Sequence, residues 1–138
     1  MVGPSLALLH LKHFKTWLTI GLMLVVLVIF LSLTSAPPPM PSVEFGDKIG
    51  HLLAYGTLTG WFGQLYTRFR TQLWIFVGFC LMGVVLEYLQ GLGPARYFEY
   101  ADMAANSTGA ALGWWLTRTW LAGALLKFEN KLLWKSAG

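Results

Sequence analysis

The sequence predicts an all-α protein, a four-helix transmembrane bundle with a short amphipathic C-terminal tail. Of its 138 residues, 56% are hydrophobic and 12% are charged. A soluble domain of this size carries roughly 25% charged residues, so about half of the expected polar surface is missing. The apolar residues are also concentrated in four segments, each close to the length that crosses a membrane.

The first predicted span covers about residues 16–35 and follows a short basic N-terminus, residues 1–15. No charged residue lies between Thr16 and Thr34. A cleaved signal peptide is the alternative, but the apolar run is too long for one and prolines follow it directly. The proline-rich stretch at residues 37–41 ends the helix, because proline cannot donate the backbone hydrogen bond that a helix needs.

Three further apolar segments predict spans at about residues 49–66, 73–90 and 101–121, which completes a membrane domain at residues 16–121. Residues 122–138 mix apolar side chains with lysines. This pattern is typical of a basic amphipathic helix on a membrane surface, or of a frayed end of the fourth span.

Basic residues predict the orientation of the spans, because cytoplasmic connections carry an excess of lysine and arginine. Of the ten lysines and arginines, two, Lys48 and Arg96, lie in the first and third connections. The other eight lie near the N-terminus, in the second connection and near the C-terminus. Both termini are therefore expected in the cytoplasm. The basic residues are scattered singly, so the net charge of +4 indicates membrane lipids rather than nucleic acid.

Polar side chains with helical spacing occur on three of the four predicted spans. Residues three or four apart share a helical face, and the predicted topology brings these faces to the outer half of the membrane. We expect an outward-facing, ligand-binding pocket there. The set comprises Asp47, Lys48, His51, Tyr55, Glu87, Gln90, Arg96, Asp102 and Asn106.

Each of these residues also has a purely structural interpretation. Asp102 is a good N-cap for the fourth helix, and Arg96 pairs readily with neighbouring acids. A histidine on an apolar segment, such as His51, is commonly a hydrogen-bonded packing residue. Their collection at one depth favours function, since ionisable groups inside a membrane are costly and usually functional.

The chemistry of the set leaves two kinds of function open. Lys48 and Arg96 suit the phosphate or carboxylate of an anionic headgroup. His51, next to carboxylates, suits proton transfer. One histidine and two acids on separate helices lack the close spacing of metal ligands, so we expect no metal and no cofactor.

Two glycine stripes continue the polar faces deeper into the bundle. Gly109 and Gly113 extend the polar face of the fourth span, and Gly56 and Gly60 form a similar pair in the second. Such stripes let two helix backbones approach closely, either within one chain or between the two chains of a homo-oligomer.

The polar residues and glycines also form an ordered pattern over about residues 46–113. It reads Asp47-Lys48-x-x-His51-x-x-x-Tyr55, Glu87-x-x-Gln90, Arg96 and Asp102-x-x-x-Asn106-x-x-Gly109-x-x-x-Gly113. This pattern resembles the VanZ-like family of small bacterial membrane proteins. The resemblance implies a four-helix protein of the bacterial inner membrane and cell envelope, with no cofactor and no settled reaction. The founding member is associated with low-level resistance to the glycopeptide teicoplanin, without an established mechanism.

The leading functional expectation is a non-enzymatic protein that binds an anionic lipid headgroup or a lipid-linked envelope precursor in the outward-facing pocket. The alternative is a membrane-embedded hydrolase or transferase that acts on a lipid phosphate through His51, Glu87 and Asp102. A transporter ranks below both, because the inner halves of the spans carry few polar residues. Membrane lipids are the expected partners.

Overall fold

The computed structural model describes residues 11–34, 46–94 and 97–136. These residues form five helices and contain no strand, so the prediction of an all-α protein is confirmed. The first four helices overlap the predicted spans, and the fifth lies in the predicted tail. The proline-rich stretch falls outside the described residues. The helices are α1 (Phe14–Leu33), α2 (Gly46–Leu65), α3 (Phe69–Gly91), α4 (Tyr100–Arg118) and α5 (Ala124–Ser136).

Two helix bounds differ from the predicted spans by several residues. Helix α3 begins at Phe69 rather than near residue 73, because the extended backbone of Arg68 forms its N-cap and the helix continues through polar residues. Helix α4 ends at Arg118 rather than near residue 121, since Thr119 leaves the helical conformation. The predicted bounds were placed where the uncharged segments begin and end. The backbone hydrogen bonds of the helices also include polar residues at the helix ends.

Two of the described helices, α1 and α3, are long and apolar enough to cross a membrane, judged by length and composition. Helices α2 and α4 coincide with the other two predicted spans, but they carry the polar faces. Their outer faces are apolar, with Ile49, Leu53 and Leu112 all exposed. Four polar side chains of this pair are buried inside the bundle, namely Thr59, Asp102, Asn106 and Thr117.

Helices α2 and α4 form the central pair of the bundle and pack more extensively than any other two. A Cβ atom at Gly109 would collide with the carbonyl oxygen of Leu52, and one at Gly113 with the carbonyl oxygen of Gly56. The two glycine stripes therefore face each other within one chain. A homo-oligomer, which stays a prediction, would have to form through another surface.

The last helix is fastened to the start of the first by one buried carboxylate. Glu129, on α5, is 1% exposed. Its Oε1 accepts a hydrogen bond from the backbone N–H of Lys12 (2.6 Å), and its Oε2 accepts from the N–H of His13 (3.1 Å) and from Trp17 Nε1 (2.6 Å). The N-cap of α1 makes no side-chain hydrogen bond of its own. Glu129 thus satisfies backbone donors that open the first helix.

The electrostatics of Glu129 follow from the same contacts. Burial by itself raises the pKa of this carboxyl. The hydrogen bonds from Trp17 and from the backbone N–H groups of His13 and Lys12 outweigh burial, and they hold the pKa below its usual range. The carboxylate is therefore ionised at neutral pH although it is buried.

Candidate functional site

The first turns of α2 and α4 meet at one end of the bundle, where Lys48 contacts three carboxylates. Its Nζ lies 2.8 Å from Asp47 Oδ2, 2.6 Å from Glu99 Oε2 and 2.8 Å from Asp102 Oδ1. The contacts with Asp47 and Glu99 are well-formed hydrogen bonds, while the contact with Asp102 is an ion pair without hydrogen-bond alignment. Together these four residues form an ion cluster that joins the two helices.

The ion cluster shifts the titration of its members. The hydrogen bond from Lys48 lowers the pKa of the Asp47 carboxyl. The contacts with Asp102, Asp47 and Glu99 raise the pKa of the Lys48 ammonium well above its usual range. Each charged form stabilises the other.

His51 extends the ion cluster toward the bundle interior. Its Nδ1 lies 3.0 Å from Asn106 Oδ1, and its Nε2 lies 3.5 Å from Asp102 Oδ2. Asp102 and Asn106 are 8% and 2% exposed. Both ring nitrogens of His51 therefore face side chains of the protein. The spacing of four residues in α2 and in α4 is what brings these groups together.

Glu87 and Tyr55 lie deeper and bring α3 into the site. Glu87 Oε1 accepts a hydrogen bond from the backbone N–H of Glu99 (2.8 Å). Gly83, one turn before Glu87, allows the close approach, since a Cβ there would lie 3.3 Å from Tyr55 Cε1 and 3.1 Å from Asn106 Cβ. Among the described residues, Glu87 Oε2 and the Tyr55 hydroxyl have no hydrogen-bond partner, although both side chains are 1% exposed.

Two predicted residues are not brought into this group by the described structure. Gln90 Nε2 donates to the backbone carbonyl of Ser32 at 2.6 Å, so its side chain ties α3 to the end of α1. Arg96 lies outside the described residues. Glu99, in contrast, was not among the predicted site residues. Its position three residues before Asp102, and next to the start of a helix, was the available signal.

Asp102 does not cap the fourth helix, which was its structural interpretation in the sequence. The N-cap of α4 is Glu99 rather than Asp102, which lies in the first helical turn. The Asp102 carboxylate is instead shared between Lys48 and His51. Its position is therefore determined by side-chain contacts across two helices.

The three carboxylates of the ion cluster could in principle hold a metal ion. Oxygens of Asp47, Glu99 and Asp102 lie within 4.8 Å of one another. Lys48 Nζ contacts all three, so its ammonium takes the position that a metal ion would need. Among the described residues of this cluster, three carboxylates face one ammonium, so these four side chains together carry a net negative charge.

Replacing Lys48 by methionine is expected to lower the free energy of unfolding by about 1–3 kcal/mol. Most of the loss comes from the largely buried Asp102 carboxylate, which loses the ammonium that neutralises it, because the exposed pairs with Asp47 and Glu99 contribute little. The pH dependence should also reverse. In the wild type, the stabilisation from Asp47 is lost as pH falls through its lowered pKa. In the variant the carboxylates repel each other, so protonation stabilises the fold. Unfolding by sodium dodecyl sulfate in mixed micelles at several pH values measures both effects.

Lys131→Met is the matched control, because Lys131 is exposed on α5 at a distance from the ion cluster. It should keep both the stability and the pH profile of the wild type. Parallel pH profiles for Lys48→Met and the wild type would show that the ion cluster does not contribute to stability.

The sequence profile of the VanZ/LLP1 family matches residues 4–122. The match covers α1 to α4 and every polar residue and glycine of the predicted set, so the resemblance is confirmed. No curated protein and no solved structure matches the chain.

Proposed function

Since the chain belongs to the VanZ/LLP1 family, we propose that it is a multi-pass membrane protein of the bacterial cell envelope. Four spans cross the inner membrane, the second beginning after Lys48, and both termini lie in the cytoplasm. The ion cluster lies near the outer surface, where it binds the headgroup of an envelope lipid or of a lipid-linked precursor.

The surface of the bundle supports the membrane part of this proposal. Large apolar side chains are exposed on all four helices, including Met23 on α1 (66%), Leu53 on α2 (60%), Trp74 on α3 (71%) and Trp115 on α4 (51%). A soluble protein of this size rarely exposes so much apolar surface. Several polar side chains between the ends of the helices, such as Thr59, Glu87 and Asn106, are inside, which is the arrangement that a lipid environment favours.

The observation that carries the headgroup proposal is the exposure of charge within the ion cluster. The side chains of Asp47 and Glu99 are 56% and 50% exposed, while that of Lys48 is 23% exposed. These groups are accessible at the end of the bundle where α2 and α4 begin. A headgroup can therefore reach them.

The net negative charge of the four residues in the ion cluster changes the type of headgroup that we expect to bind. The sequence pattern led us to expect an anionic headgroup, with Lys48 as one of its contacts. In the structure, Lys48 is already paired with three carboxylates. A headgroup that carries an ammonium beside its phosphate, such as phosphoethanolamine, complements this cluster better than a purely anionic headgroup. Its ammonium would face Asp47 and Glu99, and its phosphate would face Lys48.

The enzymatic alternative requires a free catalytic group. His51 is the strongest candidate for proton transfer, yet both of its ring nitrogens face Asp102 and Asn106. A general base must reach the proton that it abstracts, so His51 would first have to release one of these contacts. The geometry therefore favours binding over hydrolysis or transfer.

Native mass spectrometry of the detergent-solubilised protein tests the headgroup proposal. Phosphatidylethanolamine should be retained about two- to fivefold more than phosphatidylglycerol, because exposed ion pairs contribute roughly 0.2–1 kcal/mol each. The double variant Asp47→Asn/Glu99→Gln should lose this preference, since it removes the two accessible carboxylates but keeps the buried Asp102.

Lys127→Gln provides the control, because this lysine is exposed on α5 at the opposite end of the bundle. It should retain the preference of the wild type. Equal retention of the two lipids by the wild type and by the double variant would refute headgroup recognition by the ion cluster.

A further inference from the structure

An apolar groove runs along one side of the α2–α4 pair and has a volume of about 640 Å³. This volume falls within the roughly 300–1,000 Å³ of ligand-binding pockets. Its lining includes Gly60 and Gly113, which present no side chains, together with the large apolar side chains of Trp61 and Leu112. None of the predicted polar site residues lines it. The groove is thus separate from the ion cluster and chemically unlike it.

The two ends of the groove differ. At one end Leu125 and Phe128 of α5 line it. Helix α5 is fixed there by Gln64, which donates from Nε2 to the carbonyl of Leu121 (2.6 Å) and accepts from the N–H of Leu125 at Oε1 (3.3 Å). The docking of Glu129 on α1 holds the same helix. This end is therefore closed by a well-anchored element.

The other end of the groove lies just beneath the ion cluster. Leu53, which lines the groove, follows His51 by two residues, and Gly109 follows Asn106 by three. From Leu53 to Gln64 the groove extends along α2 for about 16 Å at the usual helical rise. One leaflet of the hydrocarbon core is about 15 Å thick. The groove is therefore about as long as the acyl chains of one leaflet. It begins near the charged groups and continues to the far end of α2, which ends at Leu65.

We propose that this groove holds one acyl chain of a membrane phospholipid, with its terminal methyl group toward α5 and its headgroup end toward the ion cluster. The headgroup part of this statement rests on the proposed function, whereas the chain site rests on the groove itself. A site whose closed end lies about one acyl-chain length from its other end suits a phospholipid chain better than the much longer polyprenyl chain of a lipid-linked precursor. The ligand of the protein is therefore a phospholipid rather than a lipid-linked precursor.

Filling the groove with a large side chain tests the proposal. Thr57 and Leu112 both line the groove and are exposed, so tryptophan fits at either position without displacing buried residues. Native mass spectrometry should find one phospholipid per chain in the wild type. Thr57→Trp and Leu112→Trp should each reduce this at least about tenfold, since each methylene excluded from an apolar site weakens binding by roughly fourfold.

Val85→Trp is the matched control, because Val85 is an exposed apolar residue on α3 that does not line the groove. It should retain lipid as the wild type does. A phospholipid with a photoactivatable diazirine near the chain end gives a second readout on the unaltered protein. Its crosslinks should fall on residues 124–128 of α5, whereas crosslinks spread over the exposed faces of α1 and α3 would overturn the proposal.

The outcomes separate the chain site from the headgroup site. Lipid loss in the tryptophan variants, with no headgroup preference in the wild type, would support the groove and refute the proposed headgroup function. An intact headgroup preference with normal lipid retention in both tryptophan variants would refute the acyl-chain site in the groove and support the proposed headgroup function. Far-UV circular dichroism of each variant excludes lipid loss through unfolding, and the crosslinking result decides for any variant that does not fold.

Discussion

Replacing Gly109 by alanine will lower the free energy of unfolding by about 2–3 kcal/mol, an effect typical of overpacking in a close-packed interior. The added Cβ would collide with the carbonyl oxygen of Leu52. Because the obstacle is backbone rather than a flexible side chain, α2 and α4 must separate to admit it. Gly113→Ala should behave alike, since its Cβ would collide with the carbonyl oxygen of Gly56. Unfolding by sodium dodecyl sulfate, followed by far-UV circular dichroism, measures the loss.

Two other glycines provide a graded control. At Gly60 the nearest atom to an added Cβ is 3.9 Å away, which is ordinary van der Waals contact, and at Gly78 there is nothing within 4 Å. Alanine at Gly78 should stabilise the protein by about 0.5–1 kcal/mol, because glycine is the poorer helix former. Alanine at Gly60 should be close to neutral. Equal effects at Gly109 and Gly78 would show that the α2–α4 contact is looser than the structure has it.

Replacing Glu129 by alanine is expected to lower the free energy of unfolding by about 3 kcal/mol and to release α5 from the bundle. The change leaves three donors without their acceptor, each worth roughly 1–3 kcal/mol if buried, with water recovering part of the loss. The donors are the N–H groups of Lys12 and His13 and Trp17 Nε1. Trypsin cleavage after Lys127 and Lys131, measured by mass spectrometry, should become much faster than in the wild type.

The contact between Glu129 and the start of the first helix should weaken as the pH falls. The pKa of Glu129 is lowered in the folded state, so its stabilisation is present above the ordinary glutamate pKa and is lost as pH falls through the lowered value. Wild-type α5 should therefore become protease-sensitive only in acid. The Glu129→Ala variant should be sensitive at every pH.

Asn130→Ala is the control for α5, since Asn130 is exposed on the neighbouring position. It should cleave at the wild-type rate. If Glu129→Ala were cleaved no faster than Asn130→Ala, the docking of α5 would have to depend on Leu125 and Gln64 instead.

Much of the helical arrangement could be predicted because its determinants are local. Uncharged segments of membrane-spanning length indicate helices, and four-residue spacing indicates which side chains share a face. That spacing was sufficient to place Asp102, Asn106 and His51 together. The position of the glycines likewise indicated a close helix contact, although sequence alone left open whether it was within or between chains.

The remaining contacts could not be predicted because they depend on tertiary partners. Gln90 shares a helix face with Glu87, yet its side chain reaches the end of α1. Nothing in the local pattern distinguishes these two neighbours. Glu129 looks like a solvated acid within a basic amphipathic helix, and only the docked structure shows that its carboxylate is buried. The apolar groove is also invisible in sequence, since it is a space between elements.

The Glu129 contact also has a consequence for how the chain is made. The first helix leaves the ribosome well before residue 129, so the donors at its beginning must wait for α5 to be synthesised. Chains fold in the order of their synthesis where they can, but here α5 can dock only after the first four helices have been made. A nascent chain stalled after the fourth helix therefore leaves the N–H groups of Lys12 and His13 and Trp17 Nε1 without their carboxylate acceptor.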